Sequence, residues 1–326
     1  MFFIIALKTY LIMIPHEKKT YLVTGGNGNL ARQLTDKLAV KGHRLVLLDN
    51  QPTETAHTAP GITYVQGDIA NRDHLKEIFQ TYQPTYVLHM ASLLSGSSEI
   101  DRSVAWEVNA RASFDLLELS LEHKIQCFFY PSTVVTYGTD LPDPLPEDHP
   151  QWPGSIYGAT KVAVERTGHY YFSKHGLDFR SVRLPFVISK YAPKGAMTAY
   201  ASHVFSSAVE GRPFVFPVKE ETTVSTIYVK DVVDGVLQLL EAPGEKLKRR
   251  VYNLHSFSPS ALDLATAIKK RIPGFSWSFS PDPAALAITS GMPVSMLDIS
   301  ARTDWGWDPK FQLEEMVDNF IKELSS

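Results

Sequence analysis

Tyr157 and Lys161 stand four residues apart in Tyr157-Gly158-Ala159-Thr160-Lys161. On a helix that spacing puts both side chains on one face. A phenol ordinarily titrates near pH ~10, too high for a base at neutral pH. A neighbouring ammonium favours the phenolate and lowers that value. Tyr157 beside Lys161 can therefore serve as a general base toward an alcohol. Thr133 follows the apolar run Cys127 to Tyr130 in Pro131-Ser132-Thr133. Its hydroxyl can bond the reacting oxygen and hold it for proton transfer. Taken singly, each has an ordinary reading, as a surface pair on a helix and as a turn residue. Their force comes from what lies upstream.

Upstream, Gly25-Gly26-Asn27-Gly28-Asn29-Leu30-Ala31 joins the apolar run Tyr21 to Thr24 to a segment with Leu30, Leu34 and Leu38 at helical spacing. The useful pattern is Gly25-x-x-Gly28-x-x-Ala31. The first glycine makes the tight turn, the second lets a pyrophosphate approach the backbone, and the small third residue lets helix pack on strand. The helix start then offers unpaired N–H groups and a partial positive charge to phosphate. Asp49 ends the next strand, Leu45 to Leu48, where a carboxylate binds ribose hydroxyls and repels a 2′-phosphate. Asn50-Gln51-Pro52 supplies no cation for such a phosphate. These residues predict NAD as cofactor. Asp68, in Gly67-Asp68-Ile69, is placed either to meet the adenine end or to cap the next helix.

The elements needed to position these residues are legible. Strands are expected at Tyr21–Thr24, Leu45–Leu48, Thr63–Val65, Tyr86–Met90, Cys127–Tyr130 and Phe179–Leu184. Helices are expected over Asn29–Val40, Asp73–Thr81, Arg102–His123, Ser155–His175 and Leu313–Leu324. Such alternation specifies an α/β fold, a doubly wound parallel sheet of Rossmann type with ligands at the carboxyl ends of the strands. Thr139–Gly154 holds five prolines and reads as a surface loop. Beyond Pro185 the alternation weakens. The organisation expected is an apolar extension over 1–18, an NAD-binding domain over 19–185, and a smaller substrate lobe over 186–326 with some elements returning to the first domain.

Composition bounds the rest. The 326 residues carry a net charge of −3, which points to neither nucleic acid nor an anionic membrane. The lone Cys127 cannot form an internal disulfide and reads as a core thiol in a reducing, cytoplasmic setting. The eleven histidines show no metal spacing, and no metal is expected. Met1 to Ile14 is apolar but interrupted by Lys8 and too short to span a bilayer; it reads as an extension rather than an anchor. The basic run Lys246–Arg250 reads as a solvated loop.

The glycine loop, Asp49, Thr133 and the Tyr157/Lys161 pair together resemble the extended short-chain dehydrogenase/reductase family, over Thr20 to about Leu324. Ala91-Ser92-Leu93-Leu94-Ser95-Gly96, Ile156–Lys161, Gly176–Arg180, Thr198–Ala201 and Met292-Pro293 through Trp307 are similar to its L-threonine 3-dehydrogenase branch. The resemblance implies oxidation of a small substrate's hydroxyl, with L-threonine converted to 2-amino-3-oxobutanoate the leading case. It implies cofactor contacts at Gly25, Asn27, Gly28, Asn29, Leu30, Asp49, Asp68, Ile69, Met90, Ala91, Ser92, Asn109, Tyr157, Lys161, Leu184 and Pro185. Substrate contacts are implied at Ser95, Thr133, Tyr157, Phe186 and Thr198, and a homodimer is implied through the helices containing Trp106 and Tyr157. Ser95 and Thr198 can equally be loop and cap hydroxyls.

Nucleotide-sugar members carry an arginine before the strand matching Ile227-Tyr228-Val229. Here Thr222–Thr226 has none, so a phosphate clamp is missing and a small substrate is favoured. Leu184-Pro185-Phe186 and Ser225-Thr226-Ile227 depart from the threonine branch on the substrate side. The competing readings are a nucleotide-sugar epimerase or dehydratase, a sugar or sugar-acid dehydrogenase, and a non-catalytic NAD-bound sensor.

Overall fold

The structure is a computed structural model and describes residues 18–192 and 199–325. Most of the apolar extension, and Thr198, therefore lie outside the described residues. The strands are β1 (Thr20–Thr24), β2 (Arg44–Asp49), β3 (Ile62–Gln66), β4 (Tyr86–His89), β5 (Cys127–Thr133), β6 (Phe179–Leu184), β7 (Phe186–Ile188), β8 (Phe214–Phe216), β9 (Thr226–Tyr228), β10 (Val251–Asn253) and β11 (Trp277–Phe279). The helices are α1 (Asn29–Val40), α2 (Arg72–Tyr82), α3 (Ser95–Ile100), α4 (Arg102–Trp106), α5 (Ala112–Glu122), α6 (Ile156–His175), α7 (Tyr200–Val209), α8 (Val229–Glu241), α9 (Ala261–Arg271), α10 (Pro283–Ser290), α11 (Ile299–Trp305) and α12 (Leu313–Leu324).

Seven strands form one parallel sheet in the order β10-β6-β5-β4-β1-β2-β3. Alternate residues explain it. Leu22, Val46, Leu48, Val87, Phe128 and Tyr130 pack on one face under α2, α5 and α6. Val23, Leu45, Leu47, Leu88, Phe129 and Val182 pack on the other, against α1, α8 and C-terminal elements. Strands apolar on both sides can be buried only between two helix layers. The chain runs outward from β1 to β3, then returns to the other side of β1 as β4. The reversal leaves a crevice at the carboxyl ends of β1 and β4, where ligands bind in such sheets. This is the Rossmann-type architecture expected from the alternation.

Three details differ from the sequence expectation. The stretch over Arg102–His123 is not a uniform α-helix: Glu107–Arg111 is a π-helical turn between α4 and α5. Ser95 opens the short helix α3 rather than sitting in a loop. Arg250 is buried, paired with Asp178 at 3.0 Å, and lies over the Phe172 ring, so the basic run before β10 is solvated only in part.

Candidate active site

The loop after β1 needs a glycine at position 25 for two reasons. Gly25 has φ +65°, and a Cβ there would stand 2.7 Å from the Ala91 nitrogen in the loop after β4. The two loops flanking the crevice are thus in backbone contact. No side chain caps the start of α1, so its first N–H groups stay available to an anion. Asp49 folds back onto this loop: its Oδ2 accepts from the Asn27 N–H at 2.9 Å and its Oδ1 from the Gln51 N–H at 3.0 Å. A backbone cradle at a helix start with a carboxylate beside it fits a dinucleotide's pyrophosphate and ribose.

The far side of the crevice is tied down by side chains. Thr24 Oγ1 accepts from the Ala91 N–H at 3.2 Å and bonds His89 Nδ1 at 2.7 Å. His89 Nε2 meets Ser113 Oγ at 2.7 Å, and that hydroxyl donates to the Asn109 carbonyl at 2.6 Å. Ser113 already gives its proton away, so His89 carries its hydrogen on Nε2 and accepts at Nδ1. Burial pushes the imidazole down to about 3. Asn109 lies in the π turn, a wider turn often found at functional sites. Its Oδ1 accepts from the Leu93 N–H at 2.8 Å and its Nδ2 donates to the Leu93 carbonyl at 3.0 Å. Both ends of that amide are therefore spent holding the loop that carries Ala91 and Ser92.

Ser155 caps α6, its Oγ accepting from the Gly158 N–H at 3.1 Å. A Cβ on Gly158 would stand 2.8 Å from the Val135 carbonyl, so this glycine lets α6 close on the turn after Thr133. Thr133 ends β5 beside Leu184 in the sheet register, and its Oγ1 accepts from the Val135 N–H at 3.3 Å. The hydroxyl proton remains available to donate. Lys161 is buried; its Nζ donates to the Pro131 carbonyl at 2.9 Å and lies 5.5 Å from the Tyr157 ring centre. Burial lowers Lys161 to about 7 against the raising effect of Glu165. Burial alone pushes the Tyr157 hydroxyl up to about 12.

Of the remaining expected residues, Met90 extends β4 by donating its N–H to the Thr24 carbonyl at 3.1 Å, and Phe186 donates its N–H to the Ser225 carbonyl at 3.1 Å. Asp68 makes a local turn onto the Ala70 N–H, while Asn71 caps α2. Ile69 packs in the core. Asn29 bonds Ser189 rather than open space.

Sequence reading missed a buried network behind Lys161. Glu165 receives Arg183 Nη2 at 2.6 Å and Nε at 3.0 Å, Gln151 Nε2 at 3.0 Å, and the Ser132 hydroxyl. Arg183 also donates to the Tyr137 hydroxyl at 2.6 Å, which donates to Asn253 Oδ1 at 2.8 Å. Helical spacing alone signals Glu165, four residues past Lys161. Arg183 sits in a strand with no local mark.

Comparison with known proteins bears on this geometry. The NAD dependent epimerase/dehydratase family model matches residues 21–254. A mitochondrial L-threonine 3-dehydrogenase of Bos taurus is 33% identical over 308 residues, covering 94% of this chain and 82% of that one. The holo structure of a GalE-like L-threonine dehydrogenase from Cupriavidus necator superposes with a TM-score of 0.89 at 32% identity, covering 94% of this chain and 99% of that one. A monomeric L-threonine 3-dehydrogenase of metagenomic origin does so with a TM-score of 0.87 at 30% identity, covering 94% and 98%.

Proposed function

Since the chain belongs to the NAD dependent epimerase/dehydratase family, we propose that it is an NAD-dependent dehydrogenase of a small hydroxyl compound, with L-threonine as its substrate. The observation that carries this reading is the buried Lys161 ammonium 5.5 Å from the Tyr157 ring and tied to the Pro131 carbonyl near the carboxyl end of β5. Bound NAD supplies the hydride acceptor. Gly25, Asn27, Gly28, Asn29 and Leu30 would line its pyrophosphate, and Asp49 its adenosine ribose. Met90, Ala91, Ser92, Leu184 and Pro185 would flank the rest, and Lys161 would reach the nicotinamide ribose.

Tyr157 takes the hydroxyl proton. Burial opposes its ionisation, so the phenolate depends on positive charge beside it. Lys161 provides that charge while it is protonated; burial lowers its value and the Glu165 carboxylate opposes the lowering. Thr133 holds the substrate oxygen for the transfer. Ser95, Phe186 and Thr198 are the candidates for the rest of the substrate. Val224 and Ser225 are buried where nucleotide-sugar members place an arginine, which supports a substrate without a diphosphate.

The helix face carrying Trp106 and Phe114, both exposed, with Ala110, Ala163 and Thr167 between them, supports a dimer; size-exclusion chromatography with light scattering tests it, and Trp106→Glu should yield monomers. Among the described residues no helix is long and apolar enough to cross a membrane. A buried free thiol suits a reducing, cytoplasmic setting.

The deciding assay follows NADH from neutral to alkaline pH with NAD and L-threonine, beside other hydroxy acids and sugar acids. Threonine-dependent NADH that vanishes in Tyr157→Phe supports the reading. Turnover of another alcohol but not threonine removes the substrate and keeps the chemistry. Silence across the panel with NAD bound favours the nucleotide-sugar alternative.

A further inference from the structure

Lys161 carries its charge in an unusual setting. Its Nζ is buried and, among the described residues, has one hydrogen-bond acceptor, the Pro131 carbonyl at 2.9 Å. The carboxylate that acts on it, Glu165, is already shared by Arg183, Ser132 and Gln151. The ammonium also faces an aromatic ring: Nζ lies 4.3 Å from the centre of the Tyr130 ring, nearer than the 5.5 Å to Tyr157. An ammonium over a ring within ~6 Å is attracted by the ring quadrupole, most strongly where water is excluded. The Tyr130 ring is itself fixed, with the neutral His89 imidazole stacked on it at 5.6 Å. The Tyr130 hydroxyl is buried with no hydrogen-bond partner among the described residues, so no hydrogen bond seen there explains the placement.

We propose that Tyr130 is a positioning residue whose ring face holds the Lys161 ammonium in its charged form and in place beside Tyr157. This rests on the dehydrogenase reading for its consequence in turnover, but not for its physical content. A ring attracts the cation without accepting a proton from it or using up its N–H groups. A carboxylate at the same place would form an ion pair and draw Lys161 away. Around the ammonium stand Glu165 and Tyr157 from α6, Tyr130 from β5 and His89 from β4, with Arg183 from β6 balancing Glu165.

The test titrates Lys161 in the full-length, cofactor-free protein by NMR of labelled lysine side chains, the resonance assigned with Lys161→Arg. Tyr130→Phe keeps the ring, and the titration should stay within about 0.3 pH units of the parent. Tyr130→Met, of similar size and flexible, should lower it by about one unit, a tenfold shift toward the neutral amine. Fluorinated phenylalanines at 130 should lower it stepwise with fluorine count at nearly constant volume, which a packing role would not do. They also serve if Tyr130→Met fails to fold. Equal titrations in the Phe, Met and fluorinated variants would overturn the proposal. In an active enzyme the acid limb of kcat/KM should move to higher pH in Tyr130→Met and not in Tyr130→Phe. If the titrations shift as expected while no alcohol is oxidised, the dehydrogenase reading fails and the ring's part stands.

Discussion

Glu165→Gln should destabilise this protein far more than a neutral, same-sized change ordinarily does. Glu165 is 1% exposed and Arg183 7%. The two share contacts at 2.6, 3.0 and 3.2 Å. Removing one partner of a buried pair leaves the other charge unpaired and costs about 3–5 kcal/mol. Among the described residues Arg183 is left with neutral acceptors alone: the amide oxygen at position 165, the Tyr137 hydroxyl and the Glu147 carbonyl. At about 2 °C per kcal/mol for a chain of this size, the melting temperature should fall by about 6–10 °C. Urea unfolding of the cofactor-free protein at pH 7 measures it directly. The double variant Glu165→Leu with Arg183→Met removes both charges together. It should recover most of the loss, because apolar replacement of a buried pair is often neutral or better. A Glu165→Gln loss below about 1 kcal/mol, or a double variant worse than both singles, would refute the view that Arg183 depends on this carboxylate.

Tyr157→Phe should lower kcat by about 10²–10⁴ while NAD affinity, read by calorimetry, stays within about twofold. Gly25→Ala should abolish measurable NAD binding, since its methyl would meet the Ala91 backbone and its φ disfavours any side chain; retained affinity would show that the loop can move aside. His89 is held neutral in the folded protein, at about 3, whereas the unfolded chain binds a proton below about 6.5. Stability should therefore drain away as pH falls from about 6.5 toward 3, by about 2 kcal/mol between pH 6.5 and 5. Urea unfolding of His89→Gln should show a correspondingly flatter pH dependence.

Much of this was legible in the residues. α1, β6 and α12 fall at the bounds expected, because their apolar periodicity is unbroken, Gly42 follows α1 closely and Pro185 stops β6. The glycine loop and Asp49 come together as their spacing requires. What sequence could not show is lateral: Arg183 finds Glu165 across 18 positions, and His89 finds Thr24 across 65. Nothing local distinguishes those residues from ordinary strand ends. The π turn was hidden for a related reason, since an extra residue in one turn barely disturbs the apolar pattern of α4 and α5. The C-terminal strands β7 to β11 are only three residues each, too short for alternation to register.

β10 has a consequence for how the chain can be divided. Val251–Asn253 completes the sheet by pairing with Ser181–Arg183 of β6, although 66 residues (185–250) lie between the two strands. Arg180, at the start of β6, donates to the Leu239 and Ala242 carbonyls at the end of α8. A fragment ending near Pro185 would keep every glycine-loop residue and the Tyr157/Lys161 pair. It would also leave β6 as an unpaired edge and strip the Arg180 guanidinium of the two carbonyls it meets. Such an edge recruits other strands, so the fragment should aggregate rather than bind nucleotide. The cofactor half is thus not a portable module. Recombination or truncation cannot exchange the halves on either side of residue 185.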